Sequence, residues 1–359
     1  MDSVFNFLNP ISARDVATAT LLDQLTRYNN QNLSQQQSVA TSQAQARINS
    51  ANRSASDWLD VKTDLQETIL FLEDLVRRID NISDITMNML TTTFKAENGD
   101  TISDLGYEAT FNSQLRSWNT EAQDRGGNPN LIGSTSQRTY SYVTDVSGAM
   151  ETVDRFDLTT GYTITDTGGD LWQKESDFGS ILEQVDPATG AKIGKFTSIT
   201  GGLELVSLTG DTVVFNINAG TADEGQFTGT LSRTGLGVLD AWLYEGLATD
   251  TGRDNAAADL HEARATIKAQ LAQFQAALAT AEFYEASAGN NIDALSNTID
   301  SLTLSLALEL QEIQDEAGRV GSTSVLLVNQ AKLVRDEYLK AFSLGQASGF
   351  AKALIDVLA

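Results

Sequence analysis

Residues suited to metal or acid–base chemistry are few in this sequence. His261 is the single histidine and stands beside Glu262, a pair that could supply two ligands to a metal ion. A zinc site needs at least three protein ligands, and no second histidine can complete this one. We therefore expect His261 to be a solvated helix residue, and we predict no metal site there.

Aspartates in the glycine-rich middle of the chain suggest a second kind of cation site. The carboxylates that could bind calcium there are Asp166, Asp170, Asp177, Asp186, Asp223 and Glu224. Their spacing does not match an EF-hand loop. Aspartates that form turns explain the same residues, so a structural role is the expectation and calcium the alternative.

Motifs of nucleotide-binding and hydrolytic enzymes are missing. The sequence contains neither a GxxxxGK phosphate loop nor a nucleophile elbow. It has no cysteine, so a thiol nucleophile, a disulfide and a thiolate metal site are excluded. Paired carboxylates for glycoside hydrolysis stay open, because any acidic β-domain contains enough of them. We predict no enzymatic activity and no cofactor.

The charge balance bears on the choice of partner. The chain has 48 acidic and 24 basic residues and a formal charge of -24, which repels nucleic acid and anionic membrane surfaces. No apolar run approaches the roughly 18 residues of a membrane span, and the N-terminus lacks the pattern of a secretory signal. We expect no nucleic-acid or membrane partner, and either a soluble protein or export without a cleaved signal.

The elements that carry these residues begin with a long N-terminal helical stretch. From Ile11 to Asn98 the sequence has neither glycine nor proline. Its apolar residues follow a seven-residue repeat in alternating steps of four and three, which predicts one narrow seam of a coiled coil. The predicted seam residues are Val61, Leu65, Leu72, Leu75, Ile79 and Ile82, continued by Met89, with Thr68 and Thr86 in the two polar positions.

The C-terminal third supplies a partner helix. Two interleaved seven-residue series run through it and predict a return helix that ends near Ala317. A further helix is expected from Ser324 to Phe342, after Gly318 and Gly321. The predicted seam residues on this side are Ile267, Leu271, Phe274, Leu278, Ile292, Leu295, Ile299 and Leu302.

The middle of the chain has a different composition. Most of the 27 glycines lie between Gly99 and Gly252, where short alternating runs are separated by turn residues, a pattern typical of antiparallel β-structure. A short helix is expected first, from Asp104 to Gln123. Strands are predicted at 139–146, 155–165, 192–199, 203–208, 212–217 and 226–231.

Both chain ends combine helix propensity with isolated apolar residues. The stretch from Arg14 to Thr41 is rich in glutamine, asparagine and serine and has too little apolar surface to be a stable helix alone. We expect the ends to become ordered against copies of the same chain. The predicted assembly residues are Val4, Phe5, Phe7, Leu8, Leu21, Leu22, Leu25, Arg47, Asn49, Phe342, Phe350, Leu354, Ile355 and Leu358.

The predicted fold class is mainly α with a β-rich insert. A long antiparallel coiled-coil rod is formed by the N- and C-terminal segments, and an antiparallel β outer domain is inserted between them. The predicted boundaries are 1–41 for an N-terminal filament-core helix, 42–132 for N-terminal rod helices, 133–253 for the outer domain, 254–317 for the return helix and 318–359 for a C-terminal filament-core helix.

Three short stretches in this order resemble the bacterial flagellin family, which includes the hook–filament junction proteins. Arg47–Ala51 is similar to the block that precedes the first rod helix, and Phe111–Ile132 is similar to the second helix and its following turn. The segment from Asn291 to Leu304 resembles the long return helix. The first twelve residues and the last sixteen or so depart from the family pattern.

The resemblance implies a protein that polymerises into an extracellular helical filament used in motility. It implies export through the flagellar secretion apparatus, with an export chaperone and without a cleaved signal. Arg47 and Asn49 could be recognition residues, but the stronger interpretation is a polar turn or helix start that fixes the angle between inner tube and rod. Arg77 and Arg78 lie outside the seam and are expected to be solvated or to form salt bridges between subunits.

Other functions remain open at this stage. A hook–filament junction protein of the same family would be present in few copies. An adhesin or tail-fibre-like binding protein would use the insert for binding and the helices as a trimeric stalk. If the protein were an enzyme that acts on a polysaccharide, the isolated insert should turn over that substrate.

Overall fold

The structure is a computed structural model that describes residues 10–97, 104–123, 130–134, 138–176, 179–218 and 224–358. Three α-helices account for most of the chain: α1 (Pro10–Glu97), α2 (Asp104–Ala122) and α3 (Asp250–Leu358). A β-rich insert lies between α2 and α3. The predicted fold class, a helical rod from both ends of the chain with an antiparallel β insert, is confirmed.

The chain divides into two compact units. Unit 1 comprises Met1–Asp57 and Asn291–Ala359, and unit 2 comprises Trp58–Asn290. Helices α1 and α3 each contribute residues to both units. The predicted end of the return helix near Ala317 is wrong, because α3 continues through Gly318 and Gly321. Each interior glycine costs a helix only about 1 kcal/mol relative to alanine, which a helix of 109 residues tolerates.

The described part of the insert contains nine strands in two sheets. A two-stranded sheet pairs β1 (Thr139–Val143) with β2 (Met150–Asp154), and a seven-stranded antiparallel sheet has the order β6-β5-β4-β3-β9-β8-β7. The strands of the larger sheet are β3 (Thr160–Asp166), β4 (Leu171–Lys174), β5 (Ile181–Val185), β6 (Lys192–Ser198), β7 (Leu203–Thr209), β8 (Thr212–Ile217) and β9 (Gly225–Gly235).

The larger sheet must be curled, because its two edge strands are consecutive in the chain. A flat sheet of seven strands would separate its edges by about 29 Å, whereas the connection from Ser198 to Leu203 spans at most roughly 17 Å. Near this connection the Thr197 hydroxyl donates to Asn218 Oδ1 at 2.8 Å. Edge strands β6 and β7 each take part in a register shift, a feature that discourages edge-to-edge pairing.

Buried aromatic side chains of the larger sheet and of the segment after it form one cluster. Trp172, Phe215 and Trp242 are almost fully buried, and Phe215 lies 5.6 Å from each of the two tryptophans between ring centroids. Trp242 belongs to a 3-10 helix, η1 (Ala241–Leu247). The Trp242 Nε1 group donates to the Tyr162 hydroxyl at 2.9 Å, so η1 is tied to β3.

Helix α2 is fixed to the same sheet through its polar side chains. Asn119 Nδ2 donates to Thr160 O at 2.9 Å, and Asn119 Oδ1 accepts from Thr160 N at 2.8 Å. Trp118 Nε1 donates to Leu158 O at 2.7 Å. All of these groups are buried, where an unmade hydrogen bond would cost about 1–3 kcal/mol. These bonds therefore fix α2 against the start of β3.

Candidate assembly surface

The α1 seam in unit 2 is continuous and dry. Val61, Leu65, Leu72, Leu75, Ile79 and Ile82 are all buried, as are Met89 and the two polar positions Thr68 and Thr86. The two threonine hydroxyls donate to carbonyls one turn back, Asp64 O and Ile82 O. The apolar side chains of this α1 face are therefore covered, and its two hydroxyl groups hydrogen-bonded, within unit 2.

The surface of α3 that packs against the α1 seam is wider than its large apolar residues alone indicate. Ile267 and Phe274 are fully buried, whereas Leu271 and Leu278 are half-buried at the side. Ala263 and Gln270 are buried. A search for large apolar residues misses them, although the spacing from Leu260 to Ala288 in steps of three and four includes both.

Polar contacts at the exposed border fix this part of the rod. Glu285 Oε1 accepts from Gln66 Nε2 at 3.0 Å and lies 3.5 Å from Lys62 Nζ. Exposed ion pairs of this type contribute about 0–1 kcal/mol. The stability of this part therefore rests on the apolar seam.

Unit 1 has a different helical repeat. The α1 residues that are buried or half-buried recur about every 11 residues, a spacing of about 3.67 per turn. One such series is Thr18, Asn29, Ala40 and Ala51, and a second is Leu22, Leu33, Ala44 and Ala55. An 11-residue repeat favours a nearly straight or right-handed pair, in contrast to the left-handed supercoil favoured by seven.

The α3 segment of unit 1 faces α1 in the antiparallel sense. Asn29 Nδ2 donates to Ala317 O at 3.0 Å, and Arg335 Nη1 donates to Thr18 Oγ1 at 3.4 Å. The half-buried residues on this face of α3 again follow the longer repeat. They are Leu295, Ile299, Leu302, Leu306, Leu310, Ile313, Ala317, Gly321 and Ser324.

A second apolar face of α3 is exposed to solvent. Leu304, Leu308, Leu326 and Leu333 are between 59% and 66% exposed. Leu308 and Leu326 lie about five helical turns apart, at about 3.6 residues per turn, and are therefore on the same side of α3. The other two leucines lie within about 40° of them around the helix axis. This face lies on the side of α3 opposite its contact with α1. We call these four leucines the outer leucine face.

Helix α1 also has an exposed apolar stripe in unit 1. Leu21, Tyr28 and Val39 are at least 50% exposed and lie within about 20° of each other around the helix axis. Of the predicted assembly residues on α1, Leu21 belongs to this stripe. Leu22 and Leu25 are half-buried, and Leu22 belongs to the 11-residue series.

A groove of about 730 Å³ runs between the two helices of unit 1. Its apolar lining includes Val39, Ala40 and Ile313, and its acidic lining comprises Glu309, Glu312 and Glu316. From Asn291 to Ala317 the α3 sequence contains acidic but no basic residues. The groove is therefore negatively charged, with some apolar surface inside it.

The remaining predicted assembly residues are placed as follows. Val4, Phe5, Phe7 and Leu8 lie outside the described residues, and Phe342, Phe350, Leu354, Ile355 and Leu358 lie within α3. Ile292 is half-buried in unit 1. Arg47 and Asn49 are exposed on α1. The polar turn expected at these two residues is wrong, because α1 is helical throughout.

Arg78 contradicts the expectation of a solvated or intersubunit group. It is 5% exposed, and its guanidinium donates to Glu121 O at 2.8 Å and to Gln123 O at 2.5 Å. The end of a helix leaves carbonyl groups without intrahelical partners, and Arg78 satisfies two carbonyls at the C-terminal end of α2, while Asn130 Nδ2 donates to Ala122 O. Arg77 is exposed and pairs with Asp74 on its own helix.

The aspartates considered as calcium ligands form turns where they are described. Asp166 Oδ1 accepts from Gly168 N at 2.8 Å and from Asp170 N at 3.1 Å. Asp186 Oδ1 accepts from Ala188 N at 2.7 Å, a bond that helps to lower the pKa of this carboxyl group. Asp177 and Asp223 lie outside the described residues.

Other candidate chemistry is sparse in the described part of the chain. His261 and Glu262 are both exposed on α3. No group of three or more histidine, aspartate or glutamate side chains in the described ranges could hold a metal ion. Among the described helices, none combines the length and apolar character required to cross a membrane.

Comparison with known proteins gives structural similarities but no sequence match. No protein-family model matches the sequence, and no curated protein matches it. The crystal structure of FlgL from Xanthomonas campestris, a hook–filament junction protein, matches with a TM-score of 0.30 and 14% identity. The match covers 74% of this chain and 98% of that one. A TM-score this low does not establish a shared fold.

Proposed function

We propose that this chain is a structural subunit of a flagellin-type assembly, and that it binds neighbouring copies through unit 1. The observation that carries the proposal is the outer leucine face of α3. In unit 1, α3 has one apolar face against α1 and a second exposed to solvent. A helix that is apolar on opposite faces is normally buried on both.

The energetics of a helix pair support this assignment. Burying one leucine side chain contributes about 1.5–3 kcal/mol, so the four exposed leucines offer several kcal/mol to a partner. The inner face of the pair is mostly half-buried, because two helices alone cannot enclose a contact. Neighbouring copies that cover both faces would supply the missing surface.

The charge distribution adds a condition for assembly. Each chain carries a formal charge of -24, and the groove in unit 1 is lined by three glutamates. Like charges at close range oppose association, and salt screens them over a Debye length of about 10 Å at 0.1 M. We expect assembly to require high ionic strength or added seeds.

We expect an open helical polymer rather than a closed ring, because the α1 stripe and the outer leucine face differ in composition. The α1 stripe contains a leucine, a tyrosine and a valine, whereas the outer leucine face has two pairs of leucines with Asp315 and Arg319 between them. Contacts between unlike surfaces generate open helical polymers unless the rotation closes a ring. The proposal includes an extracellular location, export in an unfolded state with chaperone assistance, and no catalytic role for the insert.

A hook–filament junction protein is the second candidate. Arg47–Ala51 and the return helix resemble the flagellin family, which includes both filament subunits and junction proteins. The surfaces of unit 1 could bind neighbouring copies in either role. The two roles differ in copy number, because a junction protein forms a short layer of limited size and a filament subunit forms a long polymer.

Electron microscopy of the purified full-length chain tests the proposal. The protein would be seeded in high salt and imaged alongside a low-salt control. Long unbranched polymers indicate a filament subunit, and short rings or layers indicate a junction protein. A discrete trimer under all conditions would contradict the proposal and favour a binding protein with a helical stalk.

A further inference from the structure

An ion pair between β4 and the start of η1 is buried in unit 2. Lys174 Nζ lies 3.0 Å from Asp240 Oδ1 and 2.8 Å from Asp240 Oδ2. The two side chains are 8% and 3% exposed. Since the nitrogen lies close to both oxygens, it also lies roughly 3 Å from the carboxyl carbon between them, a separation typical of reacting atoms before attack.

The surroundings of the pair are aromatic and exclude water. The Tyr162 ring centroid lies 5.4 Å from Lys174 Nζ, and the Tyr162 hydroxyl accepts from Trp242 Nε1. A charged pair in such a site has lost its hydration, a cost that the attraction between the charges does not always offset.

A second buried carboxyl group lies on the face of α2 that meets this site. Glu108 is 7% exposed, and its Oε1 accepts from Gly201 N at 3.4 Å. One turn further along α2, Asn112 Oδ1 accepts from Ala241 N, the residue after Asp240, at 2.9 Å. Burial raises the pKa of Glu108, and the charge of Asp240 raises it further.

We propose that Lys174 and Asp240 react spontaneously in the folded protein to form an intramolecular isopeptide bond. The proposal is independent of the assembly role, because it concerns only unit 2. It requires no cofactor, oxidant or second protein.

The reaction is a condensation. A proton first passes from Lys174 Nζ to an Asp240 oxygen and leaves a neutral amine and a neutral acid. The amine nitrogen then attacks Asp240 Cγ, so that a carbon–nitrogen bond forms and a carbon–oxygen bond breaks. The proton released by the nitrogen is accepted by Glu108 and passed to the departing hydroxyl. The products are a secondary amide and one water molecule.

The cross-link would have a structural consequence for the insert. The protein has no cysteine and therefore no disulfide to constrain its insert. A bond between Lys174 and Asp240, 66 positions apart, would close a long loop that contains β5 to β9. Closing a loop restricts the unfolded chain, so the insert should resist heat and proteases more strongly.

Mass spectrometry of the full-length wild-type protein tests the proposal. After folding and incubation, we expect an intact mass lower by one water molecule and a digest in which the peptides containing Lys174 and Asp240 are joined. Full mass with two separate peptides would overturn the proposal, as would a loss of water located elsewhere.

Three controls separate the proposed bond from nonspecific dehydration. Lys174→Arg keeps the positive charge but removes the amine, and this variant should retain its full mass. The pair of exposed Lys192 and Glu183, with Nζ 2.7 Å from Oε2, should remain unlinked in the wild-type digest. Protein kept unfolded in denaturant should also retain its full mass, and cross-linking there would contradict a mechanism that depends on the folded site.

Discussion

Arg78 Nε donates to the backbone carbonyl of Glu121 at 2.8 Å. The guanidinium thereby joins the rod helix α1 to the C-terminal end of α2 within unit 2. Asn130 Oδ1 lies 3.4 Å from the same guanidinium and extends the network to the chain that follows α2. A positive charge at the end of a helix also interacts favourably with its dipole.

Replacement of this arginine should be strongly destabilising. We expect Arg78→Ala to lower the free energy of unfolding by about 3 kcal/mol, because buried carbonyls lose charged donors. Arg77→Ala is the matched control and should change it by less than about 0.5 kcal/mol. Denaturant titration of both variants checks this, and equal losses would contradict the capping role.

The two polar positions of the α1 seam should respond differently to the same substitution. Thr86 bonds only to its own helix, so Thr86→Val should be neutral or slightly stabilising. Thr68 also contacts the Tyr140 hydroxyl, with 3.1 Å between oxygens. Thr68→Val should therefore cost about 1 kcal/mol more than Thr86→Val. Thermal unfolding measures the difference, and identical effects would show that the tyrosine contact contributes nothing.

Glu108 should make unit 2 less stable as pH rises. Its folded-state pKa is raised above the ordinary value of 4.5, so the folded state holds its proton more tightly than the unfolded state. The free energy of unfolding then falls between pH 4.5 and the raised pKa. Glu108→Gln should remove this fall and be more stable than wild type above that range. A stability difference that does not change with pH would contradict this.

The outer leucine face can be tested separately from folding. We expect the double variant Leu326→Ser and Leu333→Ser to remain a helical monomer but to lose polymerisation, because exposed leucines contribute little to the monomer. Val206→Ser replaces an exposed residue of β7 and should polymerise like wild type. Sedimentation after seeding measures both variants, and wild-type polymerisation of the leucine variant would exclude this face from the interface.

The sequence predicts the rod well because its spacing is a direct consequence of helix geometry. Every predicted α1 seam residue from Val61 to Ile82 is buried. The 11-residue repeat of unit 1 is harder to detect, because asparagine, alanine, threonine and glycine occupy many of its positions. Large apolar residues there also lie on the exposed outer face, so apolar periodicity alone does not separate the two faces.

The sequence predicts some strands and misses others for a similar reason. The strand at 212–217 has the predicted bounds, since buried residues alternate with exposed or half-buried ones from Thr212 to Ile217. β5 was missed because four consecutive residues, Leu182–Val185, are buried and no alternation marks them. The Lys174–Asp240 pair also had no sequence signal, because its two residues meet only through the curl of the sheet and the position of η1.

Hydrogen exchange of the monomer and of the seeded polymer tests the central claim most directly. If unit 1 binds neighbouring copies, backbone amides in 18–57 and 291–340 should gain protection on assembly. Amides of β3 to β9 should exchange at the same rate in both states. Protection gained in the strands, with none gained in the helices of unit 1, would contradict the account.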